Sequence, residues 1–224
     1  MKVRLKNQII LCLIIFVFGL PRTVLAGSPI TLDGNFDDWI GQPSMADPAE
    51  GSDWDSDDIV KFSWATNDNE EMLYFMIERN KTDWCDMPAT YYVYFDINNN
   101  GNYRDNHDRY VEVDYDPWDG SVNVNVYDRK GRRLSSYGGT WGESSSRVGY
   151  KAEFRVPMNT LGIIPPSQTI RMYALSWFSE DRVPNSGDIQ WSPIPIMPNW
   201  LLAAIFVAGL VGAIIIIRKR RTVC

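Results

Sequence analysis

The stretch SVNVNVYD, residues 121–128, alternates valine with polar residues. Val122, Val124 and Val126 occupy every second position, and Asn123 and Asn125 lie between them. Because successive side chains of a strand point to opposite faces, a period of two is typical of a strand that buries one face. The segment therefore predicts a half-buried β-strand.

Similar patterns recur along the chain. GYKAEFRV (149–156) alternates in the same way, and further strands are predicted over 59–66, 72–79, 90–97, 109–116 and 169–178. Turn-forming sequences such as TNDNEE, DPWDG, RKGRR and PPSQ separate the strands, and only PMNTLGI (157–163) suits a helical turn. Short strands without intervening helices favour an all-β fold, a single antiparallel β-sandwich domain.

The beginning of the chain has the layout of a secretory signal peptide. Residues 1–26 contain three early basic residues, an apolar run from Ile9 to Leu20, and a small residue, Ala26, where a signal peptidase would cut. The alternative is a retained N-terminal anchor, but the apolar run is short for a membrane span. We therefore expect the mature protein to be exported.

The end of the chain predicts a membrane anchor. Residues 200–217 contain neither charge nor proline and are long enough for a transmembrane helix. The basic residues that follow favour a short cytoplasmic tail, 218–224. A proline-rich linker, 193–199, precedes the helix. We expect a single-pass protein of the cell membrane with its ectodomain, 27–192, outside. The alternative is a processed C-terminal sorting signal.

Charge and cysteine content narrow the function of this ectodomain. It holds all 28 acidic residues and 14 of the 22 Lys and Arg, which gives a net charge of −14. Such a charge disfavours nucleic acid and anionic lipid as partners and favours divalent cations. Cys85 is the one cysteine of the ectodomain, because Cys12 and Cys224 lie in the two ends. No disulfide can therefore form within it.

The stretch FDINNNGNYRDNHDRY, residues 95–110, is a candidate calcium loop. With Asp96 at position one, Asn98, Asn100 and Gly101 fall at positions three, five and six of the D-x-[DN]-x-[DN]-G pattern. Alternate side chains of a tight loop converge, and calcium prefers six to eight oxygen ligands. The predicted ligands all carry oxygen donors: Asp96, Asn98, Asn100, Asn102, Asp105 and Asp108.

The loop departs from an EF-hand, because His107 stands where a bidentate glutamate is expected and strands flank it. The alternative is an Asn- and Asp-rich turn without a metal. Zinc is disfavoured, because His107 is the only histidine of the chain. If calcium binds, we expect a structural role, because no catalytic base accompanies the loop.

The segments LDGNFDDW, DDIVKFSWATND and LYFMIE follow one another in a layout that resembles the carbohydrate-binding module family 9-like domains, part of the DOMON-like β-sandwich group. VYFDINNNGN and GYKAEFRVPMNTLGI also look like strands of that family. The resemblance covers residues 30–191. It implies a β-sandwich with structural calcium that binds sugars at the cell surface.

The resemblance also raises two further possibilities. Some members of the wider group bind haem, which is disfavoured here because His107 is the one candidate ligand. In some relatives the opening motif contributes to a second calcium site. Asp33 with Asp37 or Asp38 fits that role as well as it fits a turn beside a capped strand.

Eight tryptophans lie in the ectodomain, and their sequence contexts divide them. Trp39, Trp64 and Trp177 lie in apolar contexts and are predicted to pack in the core. Four further tryptophans lie in polar loops or near them, where an exposed aromatic ring can stack on a sugar. The candidate carbohydrate-binding residues are Trp54, Trp84, Trp118 and Trp141. The alternative is that each loop ring folds back over the edge of the sheet.

No motif of an enzyme is present: there is no nucleophile elbow, phosphate loop or metalloprotease helix. We therefore expect a non-catalytic, calcium-stabilised, membrane-anchored module that binds a polysaccharide or another glycan. The alternative is a structural envelope protein that contacts other proteins and has no sugar site.

Overall fold

The computed structural model describes residues 29–49, 58–66, 71–80, 88–116, 121–141, 150–165 and 168–192. The predicted signal peptide, linker, transmembrane helix and tail all lie outside these ranges. Within them, no helix has the length and apolar character needed to cross a membrane.

The regular secondary structure of the described chain is almost wholly β-strand. A 3-10 turn spans Asp37–Trp39 and one short helix, α1, spans Met158–Leu161. The strands are β1 Ser44–Ala46, β2 Ile59–Thr66, β3 Met72–Arg79, β4 Ala89–Asp96, β5 Arg109–Asp116, β6 Ser121–Asp128, β7 Arg133–Trp141, β8 Lys151–Pro157, β9 Ile170–Ser176, β10 Arg182–Val183 and β11 Ile189–Trp191. The seven predicted strands and the helical turn are therefore confirmed to within two residues, whereas β1, β7, β10 and β11 were not predicted.

All strand pairs are antiparallel, and the sheet curls until it nearly closes into a barrel. Its strand order is β1-β2-β3-β8-β7-β6-β5-β4-β9-β10, and β11 also pairs with β9. Strand β2 comes close to β9 and β10, which belong to the opposite edge. The prediction of an antiparallel all-β domain is confirmed.

Side-chain hydrogen bonds join the two edges where backbone pairing stops. The Asp181 carboxylate accepts a hydrogen bond of 2.6 Å from the backbone N–H of Ile59, at the start of β2. The Asn185 amide donates to Asp47, just after β1, at 2.9 Å. Because an unpaired edge leaves backbone donors open, the Asp181 carboxylate satisfies one of them, whereas the Asn185–Asp47 bond ties the two edges through side chains.

Strand β7 connects the two halves of the sheet. Its first part, up to Gly138, pairs with β6, and Gly139–Trp141 pair with β8. A Cβ atom on Gly139 would lie 2.7 Å from Val122 Cγ1 and 2.9 Å from the Glu153 carbonyl oxygen. Only glycine therefore fits at the position where β7 passes from one half to the other.

The inner face of the curled sheet forms one apolar core. Phe75 is fully buried at its centre, stacked on Phe62 and Phe154 with ring centroids 5.7 Å and 5.2 Å away. The predicted alternation of β6 is confirmed, because Val122, Val124 and Val126 all lie in this core.

The outer face of the β2–β3 half is covered by the N-terminal segment. Ile30 and Trp39 pack there against Ala65, Tyr74 and Met76 to form a second, smaller apolar cluster. Trp39 and Trp64 are both buried, as predicted. With this half covered, the outer face of β4, β5, β6 and β9 is the larger sheet surface that carries partly exposed side chains.

Candidate functional site

The acidic loop joins β4 to β5 and is held at both of its ends. Asp96 closes β4 and is fully buried, and Asp108, one residue before β5, is 1% exposed. The Asp96 carboxylate accepts the backbone N–H of Gly101 at 2.6 Å. The Asp108 carboxylate accepts those of Asp105 at 2.6 Å and Ile97 at 3.2 Å. Two buried carboxylates therefore organise the loop backbone.

The loop brings the predicted ligands together around Asp105. The side-chain amides of Asn98, Asn100 and Asn102 all donate to its carboxylate, at 3.0, 2.6 and 3.1 Å. Each amide oxygen accepts a backbone N–H two residues further along. A carbonyl oxygen has two lone pairs, so each amide oxygen keeps one for a cation.

The backbone of the loop is tightly turned. Asn99 and Gly101 have positive φ values of 57° and 84°. Glycine adopts this conformation without steric cost, in agreement with its place at position six of the calcium pattern. From β9, the Arg171 guanidinium donates to the Asn99 side chain at 2.7 Å and fixes the turn against the sheet.

Two carboxylates of the loop have pKa values that are shifted in opposite directions. Hydrogen bonds from Asn98 and then Asn100 lower the pKa of Asp105, whereas burial raises the pKa of Asp108. In the part of the chain that the structure describes, no three acidic, histidine or cysteine side chains form a ready metal cluster. Carboxylate and amide oxygens are the donors that calcium prefers, and in this structure the amide N–H groups of the three asparagines face Asp105.

The N-terminal motif is held mainly as a turn. Asp33 and Asp38 accept backbone N–H groups of Asn35 and Thr31, at 2.8 and 2.7 Å. The fully buried Glu153 of β8 accepts the Trp39 indole N–H at 3.0 Å and the Gly34 N–H at 2.8 Å. Burial raises the pKa of Glu153. These bonds fit the capped-turn alternative, and the second calcium site stays a prediction.

A row of tyrosines crosses the outer face of the other half of the sheet. Tyr127, Tyr110, Tyr94 and Tyr173 lie directly opposite one another on β6, β5, β4 and β9, and we call them the tyrosine ladder. Successive ring centroids are 5.0, 5.7 and 4.9 Å apart. The Arg182 guanidinium lies 4.1 Å from the Tyr173 ring centroid and ends the row.

Polar side chains form a second row beside the tyrosine ladder. Glu112 of β5 accepts hydrogen bonds from the Tyr127 hydroxyl at 2.9 Å and the Tyr92 hydroxyl at 3.2 Å. Asn125 of β6 donates to Glu112 at 3.5 Å and accepts from the Ser136 hydroxyl at 2.8 Å. Burial, and then the hydrogen bond to Glu112, raise the pKa of Tyr127 to about 12, so its hydroxyl stays protonated.

Trp177 corrects the sequence analysis, because it does not pack in the core. Strand β9 ends at Ser176, and the next side chain falls on the outer face with 59% of its surface exposed. Its ring meets that of Tyr92 edge-on, with the centroids 5.8 Å apart. Phe178 beside it is 63% exposed. The ladder rings partly cover one another's faces, whereas most of the Trp177 side chain is exposed.

The four predicted carbohydrate-binding tryptophans lie in or beside the gaps between the described ranges. Trp54, Trp84 and Trp118 lie outside the described residues, and Trp141 is described only as the last residue of β7. The tyrosine ladder was missed because the strand register, which aligns the four rings, is not visible in the sequence. The period-two spacing of Tyr92 and Tyr94, and of Tyr110 and Glu112, was the available signal.

The acidic loop and the tyrosine ladder form one continuous surface. Tyr103 of the loop packs edge-on against Tyr173, with ring centroids 4.8 Å apart.

Comparison of the chain with protein-family models, curated proteins and solved structures gives no significant match.

Proposed function

We propose that the protein is a non-catalytic glycan-binding module whose binding surface is the outer face of β4, β5, β6 and β9. The observation that carries the proposal is the tyrosine ladder with its adjoining row of Glu112, Asn125 and Ser136. A sugar has apolar C–H faces and a rim of hydroxyl groups. The exposed Trp177 ring at the end of this surface matches the apolar faces, and the tyrosine hydroxyls with the polar row match the hydroxyl rim.

Trp177 is the residue that would stack on a sugar ring. Its open face lies at one end of the surface, next to Tyr92, whereas the ladder rings present their edges and hydroxyl groups. The polar row is preorganised by its own hydrogen bonds, so little side-chain entropy would be lost on binding. The main sugar contact would then be Trp177, in addition to the loop tryptophans predicted from the sequence.

Calcium would stabilise the module through the acidic loop. Asp96, Asn98, Asn100, Asn102, Asp105 and Asp108 supply the oxygen ligands, and the ion would lock the end of the surface that Tyr103 occupies. The resemblance to carbohydrate-binding module family 9-like domains supports both roles. The two packed layers of a β-sandwich are our finer description of the curled sheet, with β7 as the corner.

In this proposal, residues 1–26 are a signal peptide and residues 200–217 are a membrane anchor. The signal peptide would direct export and be removed, and the anchor would hold the module at the outer surface of the cell membrane. A protein-contacting envelope role is the second candidate, because the exposed pair Trp177 and Phe178 would also suit a protein interface.

Binding of the full chain to a glycan array, in detergent and with calcium, tests the proposal. We expect Trp177→Ala to weaken binding of the best glycan about tenfold, because a lost stacking contact costs about 1 kcal/mol or more. Ile40→Ala is the matched control, since Ile40 is 77% exposed but lies beside the N-terminal turn. Equal affinity of wild type and Trp177→Ala would refute the assignment of this face.

A further inference from the structure

The hairpin between β6 and β7 carries a basic cluster on an otherwise acidic domain. The sequence DRKGRR runs from Asp128 to Arg133, with four positive residues within five positions. Asp105 lies close enough that the charge of Arg129 contributes to lowering its pKa. The ectodomain has a net charge of −14, so most of its surface repels anions. This hairpin is a local region of positive electrostatic potential that would attract an approaching anion.

Asp128 fixes the shape of the hairpin tip. Its carboxylate accepts the backbone N–H groups of Lys130 and Arg132 at 2.9 and 3.0 Å, and the Arg132 side chain at 3.1 Å. It therefore neutralises Arg132. Arg129, Lys130 and Arg133 make no ion pair within 4.0 Å of any acidic group in the described ranges. Their charges remain available to a ligand.

A surface recess of about 380 Å3 lies between the hairpin tip and the acidic loop. It is lined by Asn106, Asp128, Arg129, Lys130 and Arg132. It is also adjacent to the tyrosine ladder, since a Cβ atom on Gly131 would lie 3.8 Å from the Tyr110 hydroxyl. A ligand lying along the ladder would therefore reach the recess without leaving the surface.

We propose that this recess binds an acidic group, a carboxylate or a sulfate, of a glycan whose sugar rings lie along the tyrosine ladder. The inference rests on the proposed function and names its ligand class, an anionic polysaccharide. A guanidinium and an ammonium group beside an Asn side chain provide charge and hydrogen-bond donors for such a group. The net charge of the ectodomain repels every anion at long range, so an acidic group of a glycan would be held by local contact with the hairpin alone, whereas a broad anionic lipid surface would also face the acidic remainder of the domain.

The test compares neutral and anionic polysaccharides that share a backbone. The probes are dextran with dextran sulfate, and hydroxyethyl cellulose with carboxymethyl cellulose, at fixed calcium and 0.15 M salt with the full chain in non-ionic detergent. We expect the anionic member of at least one pair to bind about tenfold more tightly. The double variant Arg129→Gln/Lys130→Gln should lose most of that preference, since two exposed charge contacts are worth about tenfold together.

The matched control is Lys61→Gln/Arg155→Gln, which changes the charge equally on β2 and β8, in the other half of the sheet. It should keep the preference. Equal loss in both double variants would mean a general charge effect and would overturn the recess as the site. Tight binding of phosphatidylglycerol vesicles in place of the anionic glycans would overturn it in favour of a membrane surface.

Two outcomes separate this inference from the function on which it rests. Neutral glycan binding without any preference for the anionic member overturns the recess and leaves the glycan-binding surface standing. No binding of any member of either pair, together with a blank glycan array, overturns both. Sodium sulfate that competes at the same concentration as sulfated glycan would show that the recess binds free anions only, and would also overturn the inference.

Discussion

At the scale of single residues, a few buried positions decide how the outer parts attach to the sheet. Glu153 is the clearest case, because its carboxylate is fully buried yet accepts hydrogen bonds from both Gly34 and Trp39. A buried carboxylate that lost these partners would keep its desolvation cost. Glu153 thus joins the N-terminal segment to β8 and completes the cover of that half.

Gly139 provides a residue-scale prediction with an internal control. Gly139→Ala should destabilise the fold by about 1–3 kcal/mol, because the new methyl group meets Val122 and the Glu153 backbone. Gly138→Ala should change the free energy of unfolding by less than about 0.5 kcal/mol, since nothing lies within 4 Å of its Cβ position. Urea denaturation of both variants measures the difference. Equal stability of the two would contradict the corner assigned to β7.

The burial of some side chains could be predicted from the sequence, and that of others could not. The valines of β6 alternate with polar residues, so their burial was predictable. Trp177 follows an apolar run and was assigned to the core, although β9 ends one residue earlier and leaves it exposed. The sequence RLSSYGGTW of β7 lacks a continuous alternation, because that strand pairs with a different neighbour at each end.

At the scale of elements, the acidic loop is the part whose chemistry was most visible in the sequence. Its pattern predicted which side chains converge, and Asn98, Asn100 and Asn102 do meet at Asp105. Its contact with the sheet through Arg171 was not predictable, because that residue lies 72 positions from Asn99. Spacing within a loop determines local geometry, whereas its position on a sheet depends on pairing between distant strands.

Calcium is expected to stabilise the fold through this loop. At a calcium concentration a hundred times Kd, the ion would add about 2.7 kcal/mol, which corresponds to a rise in Tm of roughly 5–10 °C. Asp105→Asn should abolish most of this shift, since it removes the carboxylate on which the loop amides converge. Thermal unfolding with calcium and with a chelator measures it.

Asn106→Ala is the control for that experiment, because Asn106 lies in the same loop but is not a predicted ligand. Acidification should also weaken the calcium effect. The raised pKa of Asp108 means that this ligand binds a proton at a higher pH than an ordinary aspartate, and the proton competes with the ion. An Asp105→Asn variant with an unchanged calcium shift would contradict the assigned site.

At the scale of the whole molecule, the two halves of the sheet have different outer faces. One half is covered by the N-terminal segment through Trp39 and Ile30. The other carries the tyrosine ladder, its polar row and Trp177. The domain therefore has one outer face that its own N-terminal segment covers and one outer face that is open to a ligand. The strand composition predicted the all-β class, but only the strand order reveals which side chains share a face.

Hydrogen–deuterium exchange of the full chain, with and without the best glycan from the array, would locate the glycan-binding surface. We expect the glycan to slow exchange in β4, β5 and the β9–β10 connection that contains Trp177, and to leave exchange in β2 and β8 unchanged. Bound sugar should protect the backbone beneath it by restricting local opening. Protection confined to β2, β3 and β8, or no protection at saturating glycan, would contradict the binding surface proposed for this protein.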